Sequence, residues 1–321
     1  MTSAPVSSRD SSEPISVVKT TGLVAAPFTP MHADRSINLD VIHAYSRHLQ
    51  GEDIVGAFIC GTTGESMSLS IEERMQVADR WMEVAPKDLR VIVHVGHNAL
   101  GDCRRLASHA QSIGADSISC MAPFFFKPHS AQSLVQWCEE VASAAPGLPF
   151  YYYHIPSLTG VSIPAYDFLR IAADRIPNLV GVKFTDEDLD DFQRCLSFRN
   201  GRYDVLFGRD ERLLSSLGVG ACGAVGSTYN FAAPIYRKLI AACGVGDHST
   251  AEAQQELAVK MIHTLIAGGP CPIATFKWFM KRTGIDCGPA RAPLQNPSAE
   301  QIERLEERLQ AIGIFNVEAG V

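Results

Sequence analysis

Short apolar, β-forming runs recur at residues 22–27, 54–60, 90–95, 116–122, 148–153, 179–184, 203–207 and 221–226, each followed by glycine or polar punctuation and then a stretch of helical apolar spacing. A strand alternating with a helix about every 25 residues, eight times over, predicts an α/β fold, a (β/α)8 TIM barrel. Several runs are apolar at nearly every position. That pattern suits parallel strands covered by helices outside and filled by side chains inside. Ser70-Ile-Glu-Glu73 marks a helix start, because the serine hydroxyl and the glutamate three residues on can satisfy each other's end amides. A two-domain dinucleotide-binding layout fits less well, since it would place G-x-G-x-x-G after the first strand, where the chain reads Gly22-Leu-Val-Ala-Ala-Pro27.

Helical patterns continue after the eighth run, at 234–243, 251–267, 273–283 and 298–312, with no linker before them. They predict a C-terminal helical extension packed on the barrel. The expected organisation is a flexible Ser-rich leader at 1–19 without the apolar core of a signal peptide, a barrel at 20–232, and C-terminal helices at 233–321 within the same structural domain. Composition narrows the function. With 46% hydrophobic and 20% charged residues the chain can bury a core, while a net charge of -7 and the lack of any Lys/Arg run argue against nucleic acid as partner. Nine cysteines without a C-x-x-C pair predict reduced thiols in a cytoplasmic protein and no zinc site. No apolar stretch has the length of a membrane span, so no membrane partner is expected.

Barrel enzymes build their sites at the C-terminal ends of the strands, so residues there that packing does not require are the candidates. Lys183 is the foremost, an amine inside the otherwise apolar run Leu179-Val-Gly-Val-Lys183-Phe-Thr185. Strand alternation puts Gly181, Lys183 and Thr185 on one face, with the glycine expected to clear space beside the lysine stem. Desolvation would lower the lysine pKa and leave free amine to attack a ketone, as a Schiff-base lysine must; the alternative is a lysine snorkelling out or paired with a buried acid.

The fifth run ends Tyr151-Tyr-Tyr153, and alternation places Tyr151 and Tyr153 together with Tyr153 nearer the mouth, as packing or as a proton shuttle. Gly61-Thr-Thr-Gly-Glu-Ser66 follows the second run; its glycines permit a tight turn whose amides and hydroxyls can hold a carboxylate, or it is a strand-to-helix turn only. Asp210 and Glu211 after the seventh run can accept from substrate hydroxyls or start a helix. Gly223-Ala-Val-Gly-Ser-Thr-Tyr-Asn230 adds small residues and hydroxyls at the same rim. The acidic run 186–191 is expected at a helix start, and His94 and His97, three apart across a strand end, make a poor metal pair.

At Gly61-Thr-Thr-Gly-Glu65, Tyr153 and Lys183 the chain resembles the dihydrodipicolinate synthase and N-acetylneuraminate lyase family, and the likeness extends from about residue 21 beyond the eighth run. Phe150-Tyr-Tyr-Tyr-His-Ile-Pro-Ser-Leu-Thr-Gly160, Ala122-Pro-Phe-Phe-Phe-Lys-Pro128 and Gly223–Asn230 look like the lyase branch, in its animal type. The resemblance implies a class I aldolase: Lys183 forms the Schiff base, Tyr153 relays the proton at the cleaved bond, and Thr62 and Thr63 bind the carboxylate. Thr185, Gly208, Asp210, Glu211 and Ser227 match positions that contact the hydroxylated sugar chain. The implied reaction is retro-aldol cleavage of the sialic acid N-acetylneuraminate to pyruvate and N-acetylmannosamine, in a homotetramer, without a metal or dissociable cofactor. A related aldolase acting on another 2-keto-3-deoxy sugar acid is the nearest alternative. Leu158 stands where a synthase would have a carboxylate-binding arginine, which disfavours a second substrate carboxylate. The aromatic that neighbouring subunits contribute in related enzymes usually carries a hydroxyl, whereas this chain reads Phe124-Phe125-Phe126.

Overall fold

The computed structural model describes residues 17–316. Along the chain run β1 (Gly22–Ala25), α1 (Val41–Gly51), β2 (Gly56–Ile59), α2 (Ile71–Val84), β3 (Arg90–His94), α3 (Leu100–Ser112), β4 (Ser117–Met121), α4 (Ala131–Ala142), β5 (Phe150–His154), the short α5 (Pro156–Thr159), α6 (Ala165–Ala172), β6 (Leu179–Phe184), α7 (Leu189–Gly201), β7 (Asp204–Phe207), α8 (Leu213–Gly218) and β8 (Gly223–Gly226). Then come α9 (Tyr229–Gly244), α10 (His248–Ala267), α11 (Pro272–Met280) and α12 (Ala299–Ala311). The parallel strands close in sequence order, β8 returning to β1 through Gly22–Gly223 to Ala25–Gly226. This is the expected TIM barrel. Most predicted runs extend beyond the strands at one end or the other, because apolar character continues outside the ladder hydrogen bonds; 148–153 also stops one residue short of His154, and only 179–184 coincides.

Alternation divides the strand residues between two cores. Val91, Ile118, Phe150, Tyr152, Val182 and Phe184 face the helices, while Val24, Phe58, Ile92, Tyr151, Tyr153 and Leu206 fill the barrel. Strand β6 breaks the rhythm once. Phe150 pairs with Leu179 but Tyr151 with Gly181, so Val180 is an extra residue. The reason expected for Gly181 is corrected by this arrangement: a Cβ there would come within 1.8 Å of the Asp204 carbonyl oxygen and 3.0 Å of Tyr151, so the glycine admits strand β7 and not the lysine stem.

Helix starts follow local chemistry. Ser70 and Glu73 form their capping box, and Asp188 caps α7 with Asp190 and Asp191 in its first turn, as expected of the acidic run. The C-terminal helices also fall where predicted. Helix α9 begins earlier, at Tyr229, and breaks at Ala232, which leaves Pro234 in the first turn of its second half. Phe276, Phe279, Met280, Leu305 and Leu309 join the same core as the outward faces of the strands. The predicted leader lies mostly outside the described residues; at its edge Thr20 donates to Asp204 at 2.8 Å, and Tyr151 donates to the same oxygen at 2.9 Å. Among the described residues no single helix is long and apolar enough to cross a membrane.

Candidate active site

Lys183 rises into the barrel against two aromatic rings that meet edge to face, its Nζ 4.1 Å from the centre of Phe58 and 4.0 Å from that of Tyr153. The side chain is buried, with 5% of its surface exposed. Among the described residues none of the carboxylate ion pairs includes it, so the alternatives of a snorkelling or acid-paired lysine do not apply. Register puts Lys183 directly beside Tyr153, because β6 runs parallel to β5.

The remaining candidates stand at the ends of different strands, and most are tied to one another in pairs. Tyr153 and Thr62 share a hydrogen bond at 3.3 Å, which joins the end of β5 to the loop after β2. Thr63 and Ser227 share one at 2.7 Å, which joins that loop to the end of β8. Thr185 packs on Gly208, where a Cβ would lie 2.0 Å from the threonine hydroxyl, and Asp210 packs on Gly226 at the same separation. The Thr185 hydroxyl is buried and has no hydrogen-bond partner among the described residues. Asp210 accepts from the Thr228 amide at 2.8 Å and its hydroxyl at 2.6 Å. Burial drives its carboxyl up to about 6, against the pull of those hydrogen bonds. Glu211 stands at the rim, 3.1 Å from Arg209, which also meets Glu187 at 2.7 Å.

The Gly61–Glu65 turn differs from its expected construction. Its left-handed residues are Cys60 (φ 54°) and Glu65 (φ 56°), not the glycines. The glycines serve close approach instead: a Cβ on Gly61 would sit 2.8 Å from the Phe58 ring, and one on Gly64 would sit 3.2 Å from the Pro27 carbonyl oxygen and 3.3 Å from the Cys60 amide nitrogen.

Two residues of the site escaped the sequence reading. Phe58 supplies one of the faces against Lys183, and period-2 alternation from Gly56 would have placed it inside the barrel. The second is His94, a poor metal ligand by its spacing from His97. It lies inside the barrel, stacked on Phe58 at 5.8 Å and edge-on to Tyr153 at 5.5 Å. Burial, with the charges of Arg74 and Lys183 behind it, holds His94 well below the usual imidazole range, so it is a neutral wedge behind the tyrosine. His97 lies in the following loop, where its Nδ1 accepts from the Ala99 amide. At the rim, burial likewise draws His154 down to about 4, although Asp186 stands 3.5 Å away.

A cavity of about 350 Å³ opens beside Thr62, lined by Phe124, Leu158, Met121, Ile273 and Leu294 among others. A larger one, about 540 Å³, lies apart from Lys183; in its lining Lys281 pairs with Asp286 at 3.0 Å, and Asn296 bonds the Ala290 backbone. A buried amine against two rings, beside a phenol and a hydroxyl-lined turn, suits imine chemistry on a small polar carbonyl compound.

Known proteins resemble the chain over most of its length. Residues 19–312 match the Dihydrodipicolinate synthetase family. The chain is 43% identical to N-acetylneuraminate lyase of Pongo abelii over 94% of its own length and 98% of the relative's. It is 46% identical to N-acetylneuraminate lyase A of Xenopus laevis over 85% and 90%. Among solved structures, Proteus mirabilis N-acetylneuraminate lyase superposes with a TM-score of 0.89 at 40% identity, over 92% of this chain and 99% of that one.

Proposed function

The chain belongs to the dihydrodipicolinate synthetase family, and from that premise we propose that it is a class I aldolase, a carbon–carbon lyase that cleaves N-acetylneuraminate to pyruvate and N-acetylmannosamine. The observation that carries the reading is Lys183, a buried amine held against Phe58 and Tyr153 at the barrel mouth without a carboxylate partner among the described residues.

In the proposed reaction the Thr62–Thr63 turn binds the substrate carboxylate and so sets the keto carbon against Nζ. The amine adds to that carbon and water leaves, forming an iminium. Tyr153 takes the proton of the hydroxyl two carbons further on. The bond from the hydroxyl carbon to the methylene beside the iminium carbon then breaks, its electrons pass into the iminium as an enamine, and the hydroxyl carbon departs as the aldehyde of N-acetylmannosamine. Protonation of the enamine and hydrolysis release pyruvate and restore the amine. Alignment of the breaking bond with the iminium is the main geometric demand, and a fixed carboxylate meets it. Thr185, Gly208, Asp210, Glu211 and Ser227 are assigned to the hydroxylated chain. Their convergence from β6, β7 and β8 supports that assignment.

We further infer a homotetramer in the cytoplasm. Phe125 and Phe126, 73% and 85% exposed on the loop that follows β4, stand with exposed Leu158 of α5, which favours a covering subunit. The nine cysteines are all free thiols, as a reducing compartment would leave them.

Borohydride added with pyruvate, followed by peptide mass spectrometry, is the deciding experiment. One reduced adduct at Lys183 is expected, and Lys183→Ala should lose both adduct and turnover while keeping its fold. Adduct formation that persists in the variant rejects the assignment.

A further inference from the structure

The loop that carries Thr62 and Thr63 is gripped from the far end of the chain. Lys277 of α11 and Glu65 form an ion pair at 2.8 Å in which both side chains are 0% exposed. The second Glu65 oxygen accepts from the Arg291 amide at 2.7 Å, and the Lys277 ammonium also donates to the Pro289 carbonyl at 3.0 Å. The Arg291 guanidinium then donates to the Ser68 carbonyl at 2.9 Å and to both oxygens of Glu73, the residue that closes the α2 capping box. Glu65 itself is left-handed at φ 56°, ψ 31°. A non-glycine residue keeps such a conformation only where its surroundings over-determine it.

Packing alone does not account for this arrangement. An ion pair taken wholly out of water recovers little net stability over an apolar pair of the same shape; what it supplies is a fixed geometry, because each charge tolerates few positions. Here the geometry belongs to a turn whose backbone leads within two residues to Thr63, bonded to Ser227, and within three to Thr62, bonded to Tyr153. The same C-terminal segment lines the cavity beside Thr62 through Ile273, Pro293 and Leu294.

We propose that Lys277 is a positioning residue for recognition of the 2-keto acid carboxylate: through Glu65 it holds the Thr62–Thr63 turn in its binding shape, so that the C-terminal extension is part of the active site. The proposal rests on the aldolase reading, in which that turn takes the carboxylate.

The test uses the full-length protein with pyruvate as probe. The wild type, Lys277→Met, and the double variant Lys277→Met/Glu65→Gln are compared by thermal midpoint and by the pyruvate concentration that gives half-maximal borohydride trapping at Lys183. Lys277→Met leaves a buried carboxylate unpaired and should lower the midpoint; the double variant removes both charges and should recover most of it. The pyruvate requirement should rise about tenfold or more in both variants, since a small misplacement of a binding group is costly, while trapping at saturating pyruvate stays near wild type. If Lys277→Met does not fold, the double variant alone decides. A folded variant with the wild-type pyruvate requirement shows that the pair serves only stability and overturns the proposal. A wild type that forms no adduct fails the aldolase reading instead.

Discussion

Asp210 shows how one side chain is set by opposing neighbours. Burial raises its pKa most, Thr228 lowers it through two hydrogen bonds, Glu211 raises it, and the balance stands at about 6 against an ordinary 3.8. Because the folded value is the higher one, the native state takes up a proton before the unfolded chain does. This group therefore adds stability as pH falls from about 6 towards 3.8 and withdraws it as pH rises again. The same proton reduces what the carboxylate can accept from a substrate hydroxyl. For the wild type the KM for N-acetylneuraminate is expected to climb as pH drops below about 6, and Asp210→Asn should flatten that inflection and raise KM across the range. A wild-type KM independent of pH between 5 and 7, by steady-state kinetics, would contradict the role. The residue type was legible in the sequence as an acid at a strand end. Its proton affinity was not, because it comes from Thr228, Glu211 and the burial that the eighth strand completes.

At the scale of the element, strand β6 illustrates what alternation predicts and what it misses. Period-2 reasoning put Lys183 inside the barrel correctly, but it gave Gly181 the wrong neighbour, since the extra residue at Val180 and the approach of β7 appear only when the strands are side by side. Gly181→Ala is expected to destabilise the protein by about 1–3 kcal/mol or more, because the new methyl meets a backbone carbonyl that cannot rotate away. Gly101→Ala in α3 is the contrast: nothing lies within 4 Å of its Cβ position, and a helical glycine replaced by alanine should stabilise by up to about 1 kcal/mol. Denaturant midpoints for the two variants that shift in the same direction would refute this account of the glycines.

For the whole molecule, the helices after β8 are continuous with the barrel in packing and in polar contacts. Their apolar residues share the core of the strands' outer faces, and Lys277 and Arg291 reach the turn between β2 and α2. The solvent-facing aromatics of the loop after β4 bear on assembly. With Phe125 and Phe126 largely exposed, the proposed tetramer predicts a solution mass near four times the 34.9 kDa chain, measured by light scattering; a stable monomer at assay concentrations would reject it.

The order of elements, the barrel, the helix starts at Ser70 and Asp188 and the identity of Lys183 as an amine out of place were all written in local pattern, because periodicity and capping depend on residues within a turn or two of each other. What the tertiary structure alone decided are relations between residues far apart in the chain: Phe58 and Tyr153 both set against the lysine amine, His94 neutral behind them, and Glu65 joined to Lys277 across 212 positions. Such partners are chosen by closure of the barrel and by exclusion of water. Neither leaves a period or a spacing along the chain from which it could be read.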